Sequence, residues 1–133
     1  MSSESAELVQ RFYESWSTRD LDGVLESAHA EFELDWTNSR SPFSGIYRGH
    51  EGLVRYWTDT WEAWDEFKLE IEDLIELGGG RLIAATVVRG RGKGSGIEFE
   101  ARGAILWTLR DGKILAGKFF QTSAEALEAA ATT

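Results

Sequence analysis

Apolar residues in the first half of the chain recur mainly at helical spacing. Residues 5–17 form a helix with one apolar face, and that face consists of Leu8, Val9, Phe12, Tyr13 and Trp16. A short helix over residues 21–27 follows, with Asp20 at its N-cap. A third helix is predicted from Gly49 to about Trp64 because its large apolar residues share one side; they are Leu53, Val54, Trp57, Trp61 and Trp64.

The spacing of apolar residues changes from helical to alternating in two parts of the chain. The segment EFELDW, residues 31–36, alternates apolar and acidic residues and predicts a half-buried strand. A long polar loop that contains Pro42 then leads to the third helix. Four more strands are predicted at 66–77, 81–90, 97–110 and 113–122. Their connections are GGG, GRGKGSG and Asp-Gly, and Asp-Gly between apolar strands is a strong hairpin signal.

The order of these elements predicts an α+β fold in one domain over residues 1–133. Three N-terminal helices would pack in the concave face of a curved, mainly antiparallel sheet. A capping-box pattern at Thr122 and Glu125 adds a short C-terminal helix. The space between helices and sheet either fills with side chains or holds a ligand.

Composition narrows the range of partners. The formal net charge is −9, which disfavours nucleic acid and anionic membranes because both are bound chiefly by cationic surface. The chain has no cysteine, so disulfides and thiolate chemistry are excluded. We see neither a signal-peptide pattern nor an apolar run long enough to span a bilayer, and we expect a cytoplasmic protein.

The segment GRGKGSG, residues 90–96, could suggest a phosphate-binding loop. It lacks the P-loop pattern, since Gly94 follows Lys93 where Ser or Thr is needed. It also joins two strands, so no helix N-terminus is available for a phosphate. We therefore interpret it as the end of a hairpin, where glycine supplies the positive φ values.

Nearly the whole chain resembles the SnoaL-like branch of the NTF2-like superfamily, whose α+β cones include polyketide cyclases and ketosteroid isomerases. Its opening is similar in the aromatic first helix, the DLDG turn and a strand ending near an acidic residue. The other matching segments are YRGHEGLVRYW, GRGKGSGIEFE, WTLRDGKILAG and AEALEAA. The last three resemble a bacterial subgroup. The superfamily hosts several reactions as well as non-enzymatic binders, so the fold alone implies no activity.

The known catalytic sets of the superfamily are not intact in this chain. The resemblance aligns the isomerase's tyrosine with Phe12, its base aspartate with Trp36 and its second acid with a position at or near Ile105. Epoxide-hydrolase-like members need two aspartates bridged by an arginine, and polyketide cyclases need an aspartate near the end of the sheet. The last strand offers Gln121 in place of either acid, and Arg102 is followed two residues on by Ala104.

Two residues are candidate catalytic bases. In a tryptophan-rich cavity the pKa of Asp35 would rise toward a useful range, but strand alternation favours the outer face for its carboxylate. His50 begins the third helix near the expected mouth of the cone, where it serves as an acid or base or makes a structural hydrogen bond. His29 is interpreted as a surface or helix-end residue. Two histidines without a cluster of acids predict no metal site.

Aromatic residues and one amide are the candidate ligand contacts. Six tryptophans are many for 133 residues, and they either fill a core or line a pocket. Gln121 and Phe119 share the cone face of the last strand, where the amide orients a ligand carbonyl or bonds to nearby backbone. The predicted ligand-binding residues are Tyr13, Trp16, Trp36, Trp57, Trp61, Trp107, Phe119 and Gln121.

These observations leave two functions open. The first is binding of a small apolar or aromatic molecule in the cone, with or without cofactor-free acid/base chemistry such as isomerisation, cyclisation or dehydration. The second is a non-catalytic ligand-binding or dimerisation module whose tryptophans form the core. The resemblance also implies a homodimer through the sheet, with Arg102 on the outer strand face. No cofactor is expected.

Overall fold

The structure is a computed structural model that describes residues 4–38 and 45–132. Its helices are α1 (Glu4–Ser17), α2 (Leu21–Ser27), α3 (Gly49–Ala63) and α4 (Ser123–Ala131). Its strands are β1 (Ala28–Asp35), β2 (Ile46–Arg48), β3 (Trp64–Gly78), β4 (Arg81–Gly92), β5 (Glu98–Arg110) and β6 (Lys113–Phe120). None of the described helices combines the length and the apolar character needed to cross a membrane.

The six strands form one sheet in the order β2-β1-β6-β5-β4-β3. The predicted meander of β3 to β6 is confirmed, with each strand antiparallel to the next. Strand β1 runs parallel to β6, so the sheet is mixed. The register between β3 and β4 shifts at three places, and such bulges bend a strand and curve the sheet.

Two parts of the sequence prediction need correction. Strand β2 was not predicted, because its three residues lie within the segment interpreted as a polar loop. Trp64 begins β3 and does not end the third helix, since the cap at this position already has an extended backbone. The part of that loop around Pro42, residues 39–44, lies outside the described residues.

Local signals set the helix and hairpin boundaries where they were predicted. The Asp20 carboxylate accepts a hydrogen bond from the Gly23 amide at the start of α2. The Thr122 hydroxyl oxygen accepts one from the Glu125 amide at the start of α4. The segment GRGKGSG ends β4 and turns into β5, and Gly94 and Gly96 have φ values of 81° and 69°. The hairpin interpretation is therefore confirmed.

The helices occupy opposite faces of the sheet. The larger core lies under α1 to α3 and contains Phe12, Phe32 and Trp107. A smaller cluster joins α4 to the other face through Ile83, Ala104, Phe120 and Ala126. Alternation along the strands explains the division, because Leu82 belongs to the first cluster and its neighbour Ile83 to the second.

Candidate functional site

A cavity of about 530 Å³ lies among α1, α3 and the concave face of the sheet. This volume is in the range of small-molecule sites. Five of the predicted ligand contacts line it: Trp16, Trp36, Trp107, Phe119 and Gln121. The space between helices and sheet is thus not filled by side chains.

Tyr13, predicted as a ligand contact, lies behind the cavity wall and is 2 % exposed. Its hydroxyl accepts a hydrogen bond from Trp107 Nε1 at 3.1 Å and lies 2.7 Å from Thr86 Oγ1. Because Thr86 gives its hydroxyl hydrogen to the Ala84 carbonyl, Tyr13 donates to Thr86. Burial raises the pKa of Tyr13 to about 12, against the lowering effect of these hydrogen bonds. Tyr13 therefore fixes the orientation of Trp107 and does not face a ligand.

Trp57 and Trp61 also lie outside the cavity lining. Trp57 packs on Trp16 with ring centroids 4.9 Å apart, and Trp61 packs on Phe67 at 6.0 Å. The Arg19 guanidinium covers the Trp61 ring at 4.1 Å. The side of α3 that reaches the cavity instead carries two residues four apart, Tyr56 and Thr60.

Most of the unpredicted lining comes from alternate residues of the strands. On β5 every second residue from Phe99 to Trp107 reaches the cavity. Strand periodicity anchored on Trp107 could have identified them. The lining residues that the sequence analysis did not include in the site are Phe12, Leu34, Tyr56, Thr60, Trp64, Phe67, Leu69, Thr86, Val88, Phe99, Ala101, Arg102, Gly103 and Ile105.

Glycines on neighbouring strands make room for aromatic rings of the wall. A Cβ on Gly103 would lie closer than 3.0 Å to the Phe119 ring, and one on Gly117 would lie that close to Trp107. Phe119 in turn packs on Trp36 with ring centroids 5.0 Å apart. Because Gly103 and Gly117 have no side chains, the rings of Phe119 and Trp107 can pack directly against the backbone at these positions.

Asp35 points away from the cavity, as alternation favoured. Its Oδ1 accepts hydrogen bonds from the Thr37 amide at 2.9 Å and the Thr37 hydroxyl at 2.6 Å. Partial burial would raise the pKa of Asp35, but these bonds and the charge of Lys118 outweigh it and hold the pKa below its usual value. A base in the cavity requires the opposite placement and the opposite shift, so the structure gives Asp35 no catalytic geometry.

His50 does not line the cavity. Its Nε2 is 3.0 Å from the Ala28 carbonyl oxygen and donates to it. Its surroundings are a shallow surface depression that also contains Glu26 and Lys113. The structural hydrogen bond considered for His50 is therefore present, and His50 is not among the residues that line the cavity. His29 stands 3.8 Å from the Asp111 carboxylate, also away from the cavity.

The polar groups that line the cavity are few. Thr60 donates to the Tyr56 carbonyl at 2.8 Å. Burial and the nearby Tyr47 raise the pKa of the Tyr56 phenol, with a smaller opposing effect from Thr60, so this phenol is neutral. Gln121 Nε2 donates to the Asn38 carbonyl at 2.6 Å, which is the backbone bond considered for this amide.

No side-chain carboxylate or imidazole is among the described lining residues. The residues outside the description, 1–3, 39–44 and 133, include no aspartate, glutamate or histidine either. Across residues 4–38 and 45–132, no group of three or more acids and histidines is placed to hold a metal ion. The wall can thus bury apolar rings and exchange a few hydrogen bonds, and it lacks a strong base.

The positions that align with isomerase catalytic residues do come together. Phe12, Trp36 and Ile105 all line the cavity. Phe12 also packs edge-on against Trp107, with ring centroids 5.5 Å apart. Apolar side chains therefore occupy the places where the resemblance would put a tyrosine and two acids.

Comparison with known proteins gives the same fold. Residues 9–116 match the family model described as the SnoaL-like domain. No curated protein sequence matches the chain. An NTF2-like protein of unknown function from Burkholderia pseudomallei is 21 % identical with a TM-score of 0.79, covering 96 % of this chain and 97 % of its own.

Two further similar structures hold bound molecules. TerC, crystallised with polyporic acid, is 20 % identical with a TM-score of 0.77 and covers 95 % of this chain and 97 % of its own. A Mycobacterium tuberculosis protein in complex with estradiol-17β-hemisuccinate is 15 % identical with a TM-score of 0.77, and it covers 89 % of this chain and 93 % of its own. At these identities the likeness concerns the fold.

Proposed function

The chain belongs to the SnoaL-like domain family, and on that premise we propose that it binds a small, flat, apolar or aromatic molecule in its cavity without acid/base catalysis by its own side chains. The observation that carries this proposal is the composition of the cavity wall. Aromatic rings surround about 530 Å³, and no carboxylate or imidazole lines it among the described residues.

Binding is supported by the nature of the lining. Trp16, Trp36 and Trp107 offer large apolar surfaces, and aromatic surface gives much hydrophobic stabilisation per ligand atom. The molecules bound to TerC and to the Mycobacterium tuberculosis protein are of a kind that such a wall suits, and we extend that ligand class to this chain as part of the proposal.

Catalysis by proton transfer is disfavoured by the placement of the candidate bases. A general base must lie within hydrogen-bond reach of the proton that it removes, directly or through one water. Asp35 accepts a hydrogen bond from Thr37 outside the cavity wall. His50 donates a hydrogen bond to the Ala28 carbonyl at the surface depression that contains Glu26 and Lys113. Neither residue belongs to the proposed site.

A thermal-shift screen tests the proposal, with apolar ketones, steroids, polyphenols and polyketide-like aromatics as the panel and tryptophan fluorescence read in parallel. A ligand at a hundred times its Kd should add about 2.7 kcal/mol of stability, which is a shift of several degrees in the melting temperature.

The variant Ala101→Trp places a large ring in the cavity and should abolish the shift. The control Ala124→Trp lies on an exposed position of α4 and should keep it. A shift that survives Ala101→Trp would contradict binding in the cavity.

A homodimer through the outer face of the sheet and a cytoplasmic location stay predictions. The outer face of β3 to β5 carries glutamates and arginines that pair with one another, among them Arg89 with Glu70 and Glu100. Sedimentation velocity at a series of protein concentrations, each at high and at low salt, measures the oligomeric state directly. A monomer at all concentrations would remove the dimer from the proposal and leave the cavity untouched.

A further inference from the structure

We propose that the mouth of the cavity binds the positively charged head of an organic ammonium ligand, such as a trimethylammonium group, among four aromatic rings. The proposal rests on the cavity-binding function proposed above and goes beyond it, because it assigns a charge and a position to one end of the ligand. It follows from which rings of the wall keep accessible surface, how those rings are paired, and how charge is distributed around them.

The aromatic residues of the wall fall into a buried group and an accessible group. Phe12, Trp16 and Trp107 are at most 3 % exposed, so neighbouring side chains cover most of each ring. The lining rings that are only half-buried are Trp36, Tyr56, Trp64, Phe99 and Phe119. A ligand that enters the cavity therefore meets this second group of rings, which keeps free surface for it to cover.

Four of the accessible rings form two tilted pairs. The ring centroids of Trp64 and Phe99 are 4.4 Å apart, with their planes at 37°. Those of Trp36 and Phe119 are 5.0 Å apart, with their planes at 38°. Each pair combines a phenyl ring with an indole, which is the side chain whose face attracts a cation most strongly.

The two pairs lie on either side of a small residue of β5. Phe99 belongs to this strand, and the Phe119 ring lies against Gly103, four residues further along it. Four residues of a strand span about 13 Å. Ala101 lies midway between these positions and is exposed. A ring attracts a cation within about 6 Å of its centroid. A trimethylammonium group over Ala101 is therefore within reach of both pairs.

Cations of the chain itself already cover ring faces elsewhere in the fold. The Arg19 guanidinium lies 4.1 Å from the centroid of the Trp61 ring, and the Arg55 guanidinium lies 5.0 Å from that of Tyr47. Neither ring lines the cavity. A trimethylammonium group carries the same charge but has no N–H group, so it loses fewer hydrogen bonds with water than a primary ammonium ion when a ring covers it.

The charge of the protein favours a positive head group at this position. The formal net charge of −9 raises the local concentration of cations around the protein. Exposed acids adjoin one ring pair in sequence, since Asp65 follows Trp64 and Glu98 precedes Phe99. Arg102 also lines the cavity, but carboxylates of β3 and β5 pair with its guanidinium and offset its charge.

Two probes of the same shape test the proposal: 3-hydroxyphenyltrimethylammonium and 3-tert-butylphenol. They differ at one central atom, which is a positively charged nitrogen in the first and a neutral carbon in the second. We would titrate each into the full chain at pH 7 by isothermal calorimetry. The cation should bind at least tenfold more tightly than the neutral probe. Ala101→Trp should abolish binding of the cation, whereas Ala124→Trp should leave its affinity unchanged.

Loss of one ring face separates the attraction of the ring for a cation from simple apolar contact. Trp64→Leu keeps an apolar side chain at the mouth, so it should weaken binding of the cation at least fivefold and binding of the neutral probe less than twofold. Phe99→Leu should act in the same direction. Trp61→Leu is the matched control, because Trp61 lies outside the lining and its loss should leave both affinities unchanged.

The outcomes separate the charge of the ligand from the binding function. Equal or tighter binding of the neutral probe, lost in Ala101→Trp, would overturn the proposal and support the binding function. Binding of the cation that survives Ala101→Trp would place it on the acidic surface, which also overturns the proposal. If neither probe binds, the proposal is overturned as well, and the thermal-shift screen alone decides the binding function.

Discussion

Outside the part of the sheet that α4 covers, the two faces of strands β4 and β5 have opposite chemistry, although the same backbone supplies both. On the inner face Thr86, Ile105 and Trp107 line a cavity without a carboxylate among its described lining residues. On the outer face Arg89 and Arg102 pair with glutamates of β3 and β5. Because side chains alternate along a strand, each charged residue is next in sequence to an uncharged one that faces the opposite way.

The two faces are expected to contribute unequally to the stability of the protein and to ligand binding. Exposed ion pairs contribute little, since solvent and salt screen them and two long side chains must be ordered. Buried aromatic groups contribute through the apolar area that they remove from water. The inner face should therefore respond strongly to substitution, and the exposed ion pairs of the outer face should tolerate it.

The sharpest test pairs one large substitution on each face. Trp107→Ala removes a ring that is 1 % exposed and also removes the hydrogen-bond donor to Tyr13. Truncating a buried tryptophan costs about 3–5 kcal/mol, measured as the free energy of unfolding in urea. Arg102→Ala should leave the urea midpoint nearly unchanged. Equal losses in the two variants would show that the faces do not differ in the way described.

A smaller substitution tests whether glycines set the wall. In Gly103→Ala the new Cβ would lie closer than 3.0 Å to the Phe119 ring, which must move. Overpacking of this kind costs about 1–3 kcal/mol in urea unfolding. In the double variant with Phe119→Leu most of that cost should disappear, because the obstructing ring is gone. Additive costs in the double variant would mean that Gly103 acts through the backbone.

The fold was largely predictable because local signals and alternation agree with it. Asp20 and Thr122 cap their helices, and the Asp-Gly turn at 111–112 joins β5 to β6 as predicted. Strand β2 was missed because three residues are too few to show a period. The parallel pairing of β1 with β6 joins segments far apart in the chain, and no local pattern encodes it.

The site was predictable only in part. Trp16, Trp36 and Trp107 were found because large aromatics on cone-facing positions are conspicuous. Trp57 and Trp61 share a helix face that a helical wheel cannot assign to core or cavity. Thr86 and Ala101 could not be predicted as lining residues, because nothing in the sequence distinguishes a small residue beside a cavity from one in a packed core. Asp35 was a candidate base, but its carboxylate lies outside the cavity, as strand alternation favoured, whereas its neighbour Trp36 lines the cavity.

An alkaline titration tests the burial of the three phenols. The pKa of Tyr13 is raised to about 12, and burial raises the pKa of Tyr56 and of Tyr47 as well. A folded-state pKa above the unfolded value means that the stabilisation is complete below pH 10 and is lost as the pH rises through the folded value. Absorbance at 295 nm should therefore show late ionisation of all three tyrosines in the folded protein. Tyr13→Phe should remove one late ionisation. Titration of all three near pH 10 while the protein is folded would contradict this burial.

The smallest expected effect concerns Asp35, the carboxylate that lies outside the wall. Its pKa is below the usual value because the Thr37 hydrogen bonds and the charge of Lys118 outweigh partial burial. A lowered pKa contributes stability that is present above the usual pKa of 3.8 and is lost as the pH falls through the folded value. Thr37→Val should therefore destabilise the protein by about 0.5 kcal/mol or less at pH 7, with the difference shrinking below about pH 4. In an Asp35→Asn background the effect of Thr37→Val should not depend on pH. A pH-independent loss in both backgrounds would mean that Thr37 acts through the turn after β1, and that the charge of Asp35 contributes nothing to holding that turn.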